Sequence, residues 1–543
     1  MYLDRPHRHG EPLSRTASLE RLSGTRFDVL VVGGGINGAV SALSLAAHGL
    51  KVGLVEASDF AAGTSQESSN MIWGGFKYLE SYDIRLVAGL CRSRNRLAAA
   101  YPTRILETRF MAVLQDGAPF APWFAALGAN AYWALGHLHT RRPRHRSRAT
   151  IQRLEPAVEA SRIRGGIEYS DYLLADNDAR FVSEFVIAAE QHGAVVANYL
   201  ELEEAEYNSD TWSLTLRDQV TGSAMETTAR VLVNAAGPRV PTIGSLTLSS
   251  TQSRLVYSKG VHLTVPQVTD SGRILAFFDD ARRLFYVLPM GDRSVIGTTD
   301  TPVDDPEVSV TDEDRLFLLG QVSRRLDLDR NLDASDIISE RCGVRALVVP
   351  PGGSGRRRDW TELSRRHAVE TDDGRGVVSI LGGKLSDCLN VGAEVVDAVR
   401  LCGLRPMPPA QSWFGEPSQE DRRTCISRAV GMGMAPDAAA LMWRRHGRRM
   451  DEVLELVRGD PALGDPLGDL DTLSMAEVMV MGRHERIVRP DDLLRRRTML
   501  SMLHRPEAVT ADRGVRSAIE TILGSDGLTA FDAGWAAPDD ADV

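Results

Sequence analysis

The chain is poor in the features that mark disulfide scaffolds, metal-cluster proteins or nucleic-acid binders. Its 543 residues hold only five cysteines, Cys91, Cys342, Cys388, Cys402 and Cys425. They are scattered, odd in number and form no CxxC pair, which indicates neither a disulfide framework nor a structural zinc site. Twelve histidines show no HExxH or similar spacing, so no metal is expected. A basic surplus is also missing, since 63 Lys and Arg stand against 73 Asp and Glu for a formal net charge of -10. That balance argues against nucleic acid as the main partner and requires any anion site to be local. Residues 1–26, MYLDRPHRHGEPLSRTASLERLSGTR, lack an apolar run and read as a flexible lead-in, not a secretory signal. With unpaired thiols, this points to a reducing, cytoplasmic setting.

What is present is an ordinary globular composition, 43% hydrophobic and 25% charged, on a chain long enough for at least two domains. Residues 28–32, DVLVV, form a β-branched run that ends in glycines; helical spacing follows over 37–48 and a second strand over 51–56. This is a βαβ unit. Helical periodicity over 176–192 precedes alternating segments to residue 218, and RVLVN at 230–234 returns as a buried strand. Residues 255–301 alternate between turn signals and predict a second, mostly antiparallel sheet. A proline-rich break, RPMPPAQ at 405–411, separates this region from helical patterning that runs to about residue 523. The expected division is 1–26 lead-in, 27–404 nucleotide-binding region with an interleaved cap, 405–523 helical domain and 524–543 acidic tail.

The segment DVLVVGGGINGAVSALSLAAHGLKVGLVEA places GxGxxG between a strand and a helix, with an acidic residue closing the next strand. Gly33 suits the tight turn, Gly35 the approach of a pyrophosphate and Gly38 close helix–strand packing. Glu56 is the expected acceptor for ribose hydroxyls. The cradle alone leaves FAD and NAD open. VLVNAAGPRV at 231–240, which contains Ala236 and Gly237, and VVSILGGKLSD at 377–387 resemble the later signatures of two-dinucleotide-binding-domain flavoproteins, which favours FAD.

Over residues 27–523 the chain resembles the FAD-dependent glycerol-3-phosphate dehydrogenases and related oxidases. The segments that carry the resemblance include TSQESSNMIWGGFKYLESYDIRLV, NAAGPRV, SKGVHLTVP, FYVLPMGDRSVIGTTDTP, CGVRAL, LSRRHAVE, LGGKLSD and PDDLLRRRTMLS. The resemblance implies a Rossmann-type FAD-binding domain of α/β class, D-amino-acid-oxidase-like, with an antiparallel substrate-cap sheet and a helical C-terminal domain. It implies oxidation of sn-glycerol 3-phosphate to dihydroxyacetone phosphate, electrons leaving to a quinone, and a peripheral seat on the inner face of the cytoplasmic membrane. Oxygen as acceptor, and another small anionic alcohol or amine as substrate, stay open, as does a homodimer formed through the C-terminal helices.

In the resembled family Ser68, Ser69, Gly74 and Gly75 would lie along the flavin, as would Gly383 and Lys384. Arg345 and Arg365 match its substrate-binding arginines, and Arg366 stands beside the second. Lys384 matches the lysine of its glycine-glycine-lysine motif. His262 is a candidate base, because histidine titrates near neutrality; a structural histidine at a strand end is the alternative. Trp73 and Lys77 stand where the family carries histidine and arginine, Asn70 where it carries lysine, Ala346 where it carries proline, and Ser386 and Asp387 where it carries threonines. Tyr78 supplies a hydroxyl. Residues 119–138, PFAPWFAALGANAYWALGHL, are apolar and precede the basic run RRPRHRSR. Prolines and glycines make a spanning helix poor; an interfacial helix or a buried one remains.

Overall fold

The computed structural model describes residues 14–79, 83–279, 281–352, 366–470 and 472–534. The glycine-flanked apolar run becomes strand β1 (Arg26–Val32), followed by helix α2 (Ile36–Ala47) and strand β2 (Val52–Val55). Parallel pairing of β1 with β2 and with Ala224–Asn234 builds the centre of an eight-stranded sheet. Val377–Leu381 and Val195–Ala197 extend it in the same sense. Every residue of α2 from Ile36 to Ala46 is buried. Small residues, Gly, Ala and Ser, make up more than half of it, which lets it pack closely against the helices Asp178–Gln191 and Cys388–Leu401.

The second sheet has ten strands. All of its pairings are antiparallel except that of Ile274–Phe278 with Ile105–Gln115. Its longest unbroken ladder joins Arg254–Pro266 to Ser339–Val349. That ladder faces the nucleotide-binding sheet across the site described below.

Three expectations about the ends and surface change. Residues 15–24 are not the lead-in their polarity suggests: they form helix α1 (Arg15–Gly24), which buries Ser18 and Leu22 and ties Arg15 to Asp218 at 2.6 Å. One buried stripe at i, i+4 is enough to dock it, and composition does not show so narrow a stripe. The last helix, Arg513–Asp532, likewise continues past residue 523 through a kink at Gly524 (φ +72°), into residues assigned above to the tail. The helix Pro122–Leu135 buries Ala129 and Tyr132 but leaves Trp123 69% and Leu127 62% exposed. It is neither wholly core nor wholly interfacial.

The C-terminal helices are bolted to the nucleotide-binding domain by buried ions. Arg496 Nε and Arg497 Nη1 each reach Asp59 Oδ2 at 2.7 Å, three residues beyond Glu56. Arg180 meets Glu485 at 2.5 Å. The run Arg495–Arg496–Arg497, which looks like a solvated charge cluster in sequence, is buried throughout.

Candidate active site

The β1–α2 turn makes the predicted cradle. Gly33 has φ +105°, and a Cβ there would lie 2.6 Å from the Ala235 carbonyl oxygen; one on Gly38 would lie 1.8 Å from Gly33 O. Only glycine fits either position. The N-cap residue of α2, Gly35, brings no capping side chain, and the helix's N-terminal turn and positive dipole end border a cavity of about 930 Å³ lined by Gly35, Ile36 and Asn37. Glu56 Oε2 accepts from Gly34 N at 2.6 Å and Oε1 from Ser58 N at 2.9 Å. Burial raises its pKa, while these two hydrogen bonds pull it down. A helix that starts at a glycine N-cap beside the cavity, a turn that excludes Cβ atoms and an enclosed carboxylate together fit the adenosine diphosphate end of FAD. Sequence reasoning missed Ser65, whose Oγ accepts from Ile36 N at 2.9 Å.

Opposite the cradle, three rungs of the long antiparallel ladder supply the floor: Ser258 with Arg345, Gly260 with Gly343, and His262 with Arg341. Paired residues share a face and alternate rungs point the same way, so all six address one side. The glycine rung leaves a gap. A Cβ on Gly260 would lie 2.1 Å from Arg345 Nη2, and one on Gly343 would lie 2.5 Å from Glu67 Cβ. Arg345 lies across that gap, donating from Nη1 to Thr299 O at 3.1 Å and from Nη2 to Thr298 Oγ1 at 2.6 Å, with Asp300 at 3.6 Å. His262 Nε2 and Ser69 Oγ are 2.7 Å apart. Burial first, then the charges of Arg341 and Arg345, hold the His262 pKa well below its ordinary value, so the ring is neutral near pH 7.

The remaining wall is aromatic and cationic. Trp73 and Tyr78 stand 5.8 Å apart between ring centroids. Lys384 Nζ donates to Tyr78 Oη at 2.5 Å and lies 4.0 Å and 5.5 Å from the Tyr78 and Trp73 centroids. Lys77, Ser68, Ser69, Gly237 and Gly383 also line the cavity. Among the described charged residues that line it, Lys77, Arg282, Arg283, Arg345 and Lys384 outnumber Glu67, Asp83 and Asp300. This is the local cationic surplus that an acidic protein needs in order to hold an anion.

Several sequence-chosen residues stand elsewhere. Gly74 and Gly75 do not line the cavity; they are small for packing, because a Cβ on Gly74 would lie 2.3 Å from Tyr132 Oη and one on Gly75 would lie 2.6 Å from the Tyr78 ring. Ala236 packs toward the core beneath the sheet, and its neighbours Ala235 and Gly237 take the cavity edge. Asp387 is turned away from the cavity, accepting from Asn390 Nδ2 at 2.7 Å and pairing with His367 Nδ1 at 2.7 Å. It is no neighbour for a bound anion. Arg365 lies outside the described residues, and Arg366 pairs with Asp83 at 2.7 Å. Sequence reasoning also missed Glu67 and Arg341, which matter only because strands distant in sequence bring them together.

Comparison with known proteins agrees with this geometry. Residues 28–386 match the FAD dependent oxidoreductase family, and residues 397–528 match the C-terminal domain of alpha-glycerophosphate oxidase. Glycerol-3-phosphate dehydrogenase 2 of Mycobacterium tuberculosis is 30% identical over 523 residues, covering 94% of this chain and 88% of that one. Aerobic glycerol-3-phosphate dehydrogenase of Staphylococcus haemolyticus is 28% identical over 511 residues, covering 90% and 89%. The crystal structure of glycerol-3-phosphate dehydrogenase from Bacillus halodurans complexed with FAD superposes with a TM-score of 0.74 at 22% identity, over 96% of this chain and 95% of that one. A nucleotide cradle and a cationic floor sharing one cavity, on a chain matched nearly end to end, make this protein an FAD-dependent oxidoreductase of the glycerol-3-phosphate dehydrogenase and oxidase family.

Proposed function

We propose that this enzyme oxidises sn-glycerol 3-phosphate to dihydroxyacetone phosphate and passes the electrons to a quinone. The observation that carries the reading is Arg345, a guanidinium fixed by two hydrogen bonds over the Gly260 gap, within a cavity that also contains the nucleotide cradle. FAD, when bound, supplies the acceptor for the carbinol hydride. The residues of the chain do the rest. Arg345 offers a planar fork suited to phosphate, Lys77 adds charge, and Lys384, held on Tyr78, orients the polar end of the substrate. His262 and Ser69 form a neutral hydrogen-bonded pair beside the reacting end. Arg365, matched by resemblance, is assigned here as a second anion holder.

A second reading, another small anionic alcohol or amine, draws support from the Trp73–Lys384–Tyr78 stack, which offers an aromatic surface that glycerol 3-phosphate does not require. Anaerobic addition of glycerol 3-phosphate, glycerol and a panel of anionic alcohols and amines separates the two. Flavin bleaching by glycerol 3-phosphate but not glycerol is expected; bleaching by another panel member alone would install the second reading.

We infer a peripheral membrane contact from the helix Pro122–Leu135 and the loop after it. Trp123, Phe124, Leu127 and Leu138 are exposed beside exposed Arg141, Arg142, Arg144 and Arg148, an apolar tip flanked by cations suited to an anionic bilayer surface. Among the described residues no helix is long and apolar enough to cross a membrane. The triple variant W123S/F124S/L127S should lose co-sedimentation with anionic vesicles; retained binding would refute the assignment.

A further inference from the structure

Among the described residues three acids line the cavity, and two are engaged. Asp83 pairs with Arg366 at 2.7 Å, and Asp300 accepts a hydrogen bond from Ser258 Oγ. Glu67 differs. Its ion-pair partner Arg495 approaches to 3.6 Å, longer than a charge-assisted hydrogen bond. Its Oε2 is buried with no hydrogen-bond partner among the described residues. Room for it is built into the floor, since the absent Cβ of Gly343 would meet Glu67 Cβ at 2.5 Å. Ser68 and Ser69, the next two residues, line the same cavity, and Ser69 reaches His262.

We propose that Glu67 is the base that takes the hydroxyl proton of the substrate. The proposal rests on the alcohol-oxidising function given above. The carbinol C–H bond breaks and its electron pair leaves as hydride to the oxidised cofactor. The O–H bond breaks in concert, its proton going to the Glu67 carboxylate and its electron pair becoming the second C–O bond of the carbonyl product. Glu67 then gives the proton to water.

Other groups in the cavity serve less well. A proton on His262 would add a positive charge facing Arg341 and Arg345, and these, after burial, are what keep that ring neutral. The Trp73 indole N–H only donates. Lys384 donates to Tyr78. The groups facing Glu67 are Arg495 and Asp491 from the C-terminal domain, Arg341 from the floor and Asp178 from the helix Asp178–Gln191. Burial is the largest influence and raises the carboxyl pKa to about 7; the two arginines lower it and the two aspartates raise it. A base titrating there is matched to neutral pH.

The test compares FAD-loaded wild type with Glu67→Gln and Glu67→Asp. Anaerobic bleaching by glycerol 3-phosphate is followed from about pH 5.5 to 9, and the carboxyl infrared band is titrated without substrate. Wild type should bleach faster as pH rises through about 7, and a protonated carboxyl band should vanish over the same range. E67Q should lack that band, bleach about 100-fold more slowly and lose the inflection, with E67D restoring part of the rate. An E67Q enzyme that keeps FAD, rate and inflection overturns the proposal. If E67Q fails to hold FAD, the infrared titration decides, and no band titrating near pH 7 in wild type overturns it. If glycerol 3-phosphate bleaches no form while another panel compound does, the substrate reading has failed, and the same comparison with that compound decides the role of Glu67.

Discussion

The pair formed by His367 and Asp387 makes a quantitative prediction about stability. Burial of the His367 ring opposes its charge, yet the hydrogen bond to Asp387 and the nearby Glu394 carboxylate outweigh burial and raise its pKa to about 9 from 6.5. At 1.36 kcal/mol per unit, that shift corresponds to about 3 kcal/mol of stability. The His367 side chain is 8% exposed and Asp387 7%, so solvent screens their interaction little. Glu394 is 53% exposed, which leaves Asp387 as the main partner. Because the folded pKa is raised, the contribution is complete below the unfolded value of 6.5 and lost as pH rises through about 9. Asp387→Asn keeps the shape and removes the charge. Urea unfolding followed by tryptophan fluorescence should show D387N less stable than wild type by up to about 3 kcal/mol near pH 6, with the difference shrinking as pH rises from about 6.5 and all but gone above about pH 9. A difference independent of pH, or none near pH 6, would refute the reasoning.

Other perturbations follow from the same geometry. Gly38→Ala would drive a methyl into Gly33 O; FAD affinity, measured by flavin release into a filtrate, should fall about tenfold or more, since overpacking costs about 1–3 kcal/mol. Arg345→Ala should raise KM for glycerol 3-phosphate about 30-fold or more, while Arg345→Lys, which keeps charge without the fork, should recover only part, as steady-state assays would show. Asp59→Ala removes the carboxylate that holds Arg497, leaving it the Glu485 carbonyl, while Arg496 keeps Asp491 and Asp492; removing one partner of a buried pair costs about 3–5 kcal/mol, so limited proteolysis should release the C-terminal domain sooner than in wild type.

The nucleotide-binding unit was legible because its signals are local. The change from strand to helix period, the three glycines and Glu56 lie within one stretch, and the tightest contact acts between neighbours, Gly38 against Gly33 O. The resemblance placed Arg345 and Lys384 on the cavity for the same reason, as they sit in short motifs. The floor was not legible. Its logic is the glycine rung Gly260–Gly343, which becomes visible only once strands some 80 residues apart are paired. Asp387 follows the lysine motif in sequence, where a carboxylate would oppose a bound anion; its side chain instead serves His367. Glu67 passed unnoticed among small polar residues, since its character comes from Arg495 and Arg341, supplied by distant parts of the chain.

The most direct measurement is a single anaerobic turnover with glycerol 3-phosphate carrying hydrogen or deuterium on carbon 2, recording flavin bleaching and the product released. The account predicts one dihydroxyacetone phosphate per flavin bleached and slower bleaching with deuterium, because the carbinol C–H bond breaks in the step that Arg345 and the cavity floor align. Bleaching without dihydroxyacetone phosphate, or no bleaching of a fully FAD-loaded enzyme, would contradict it.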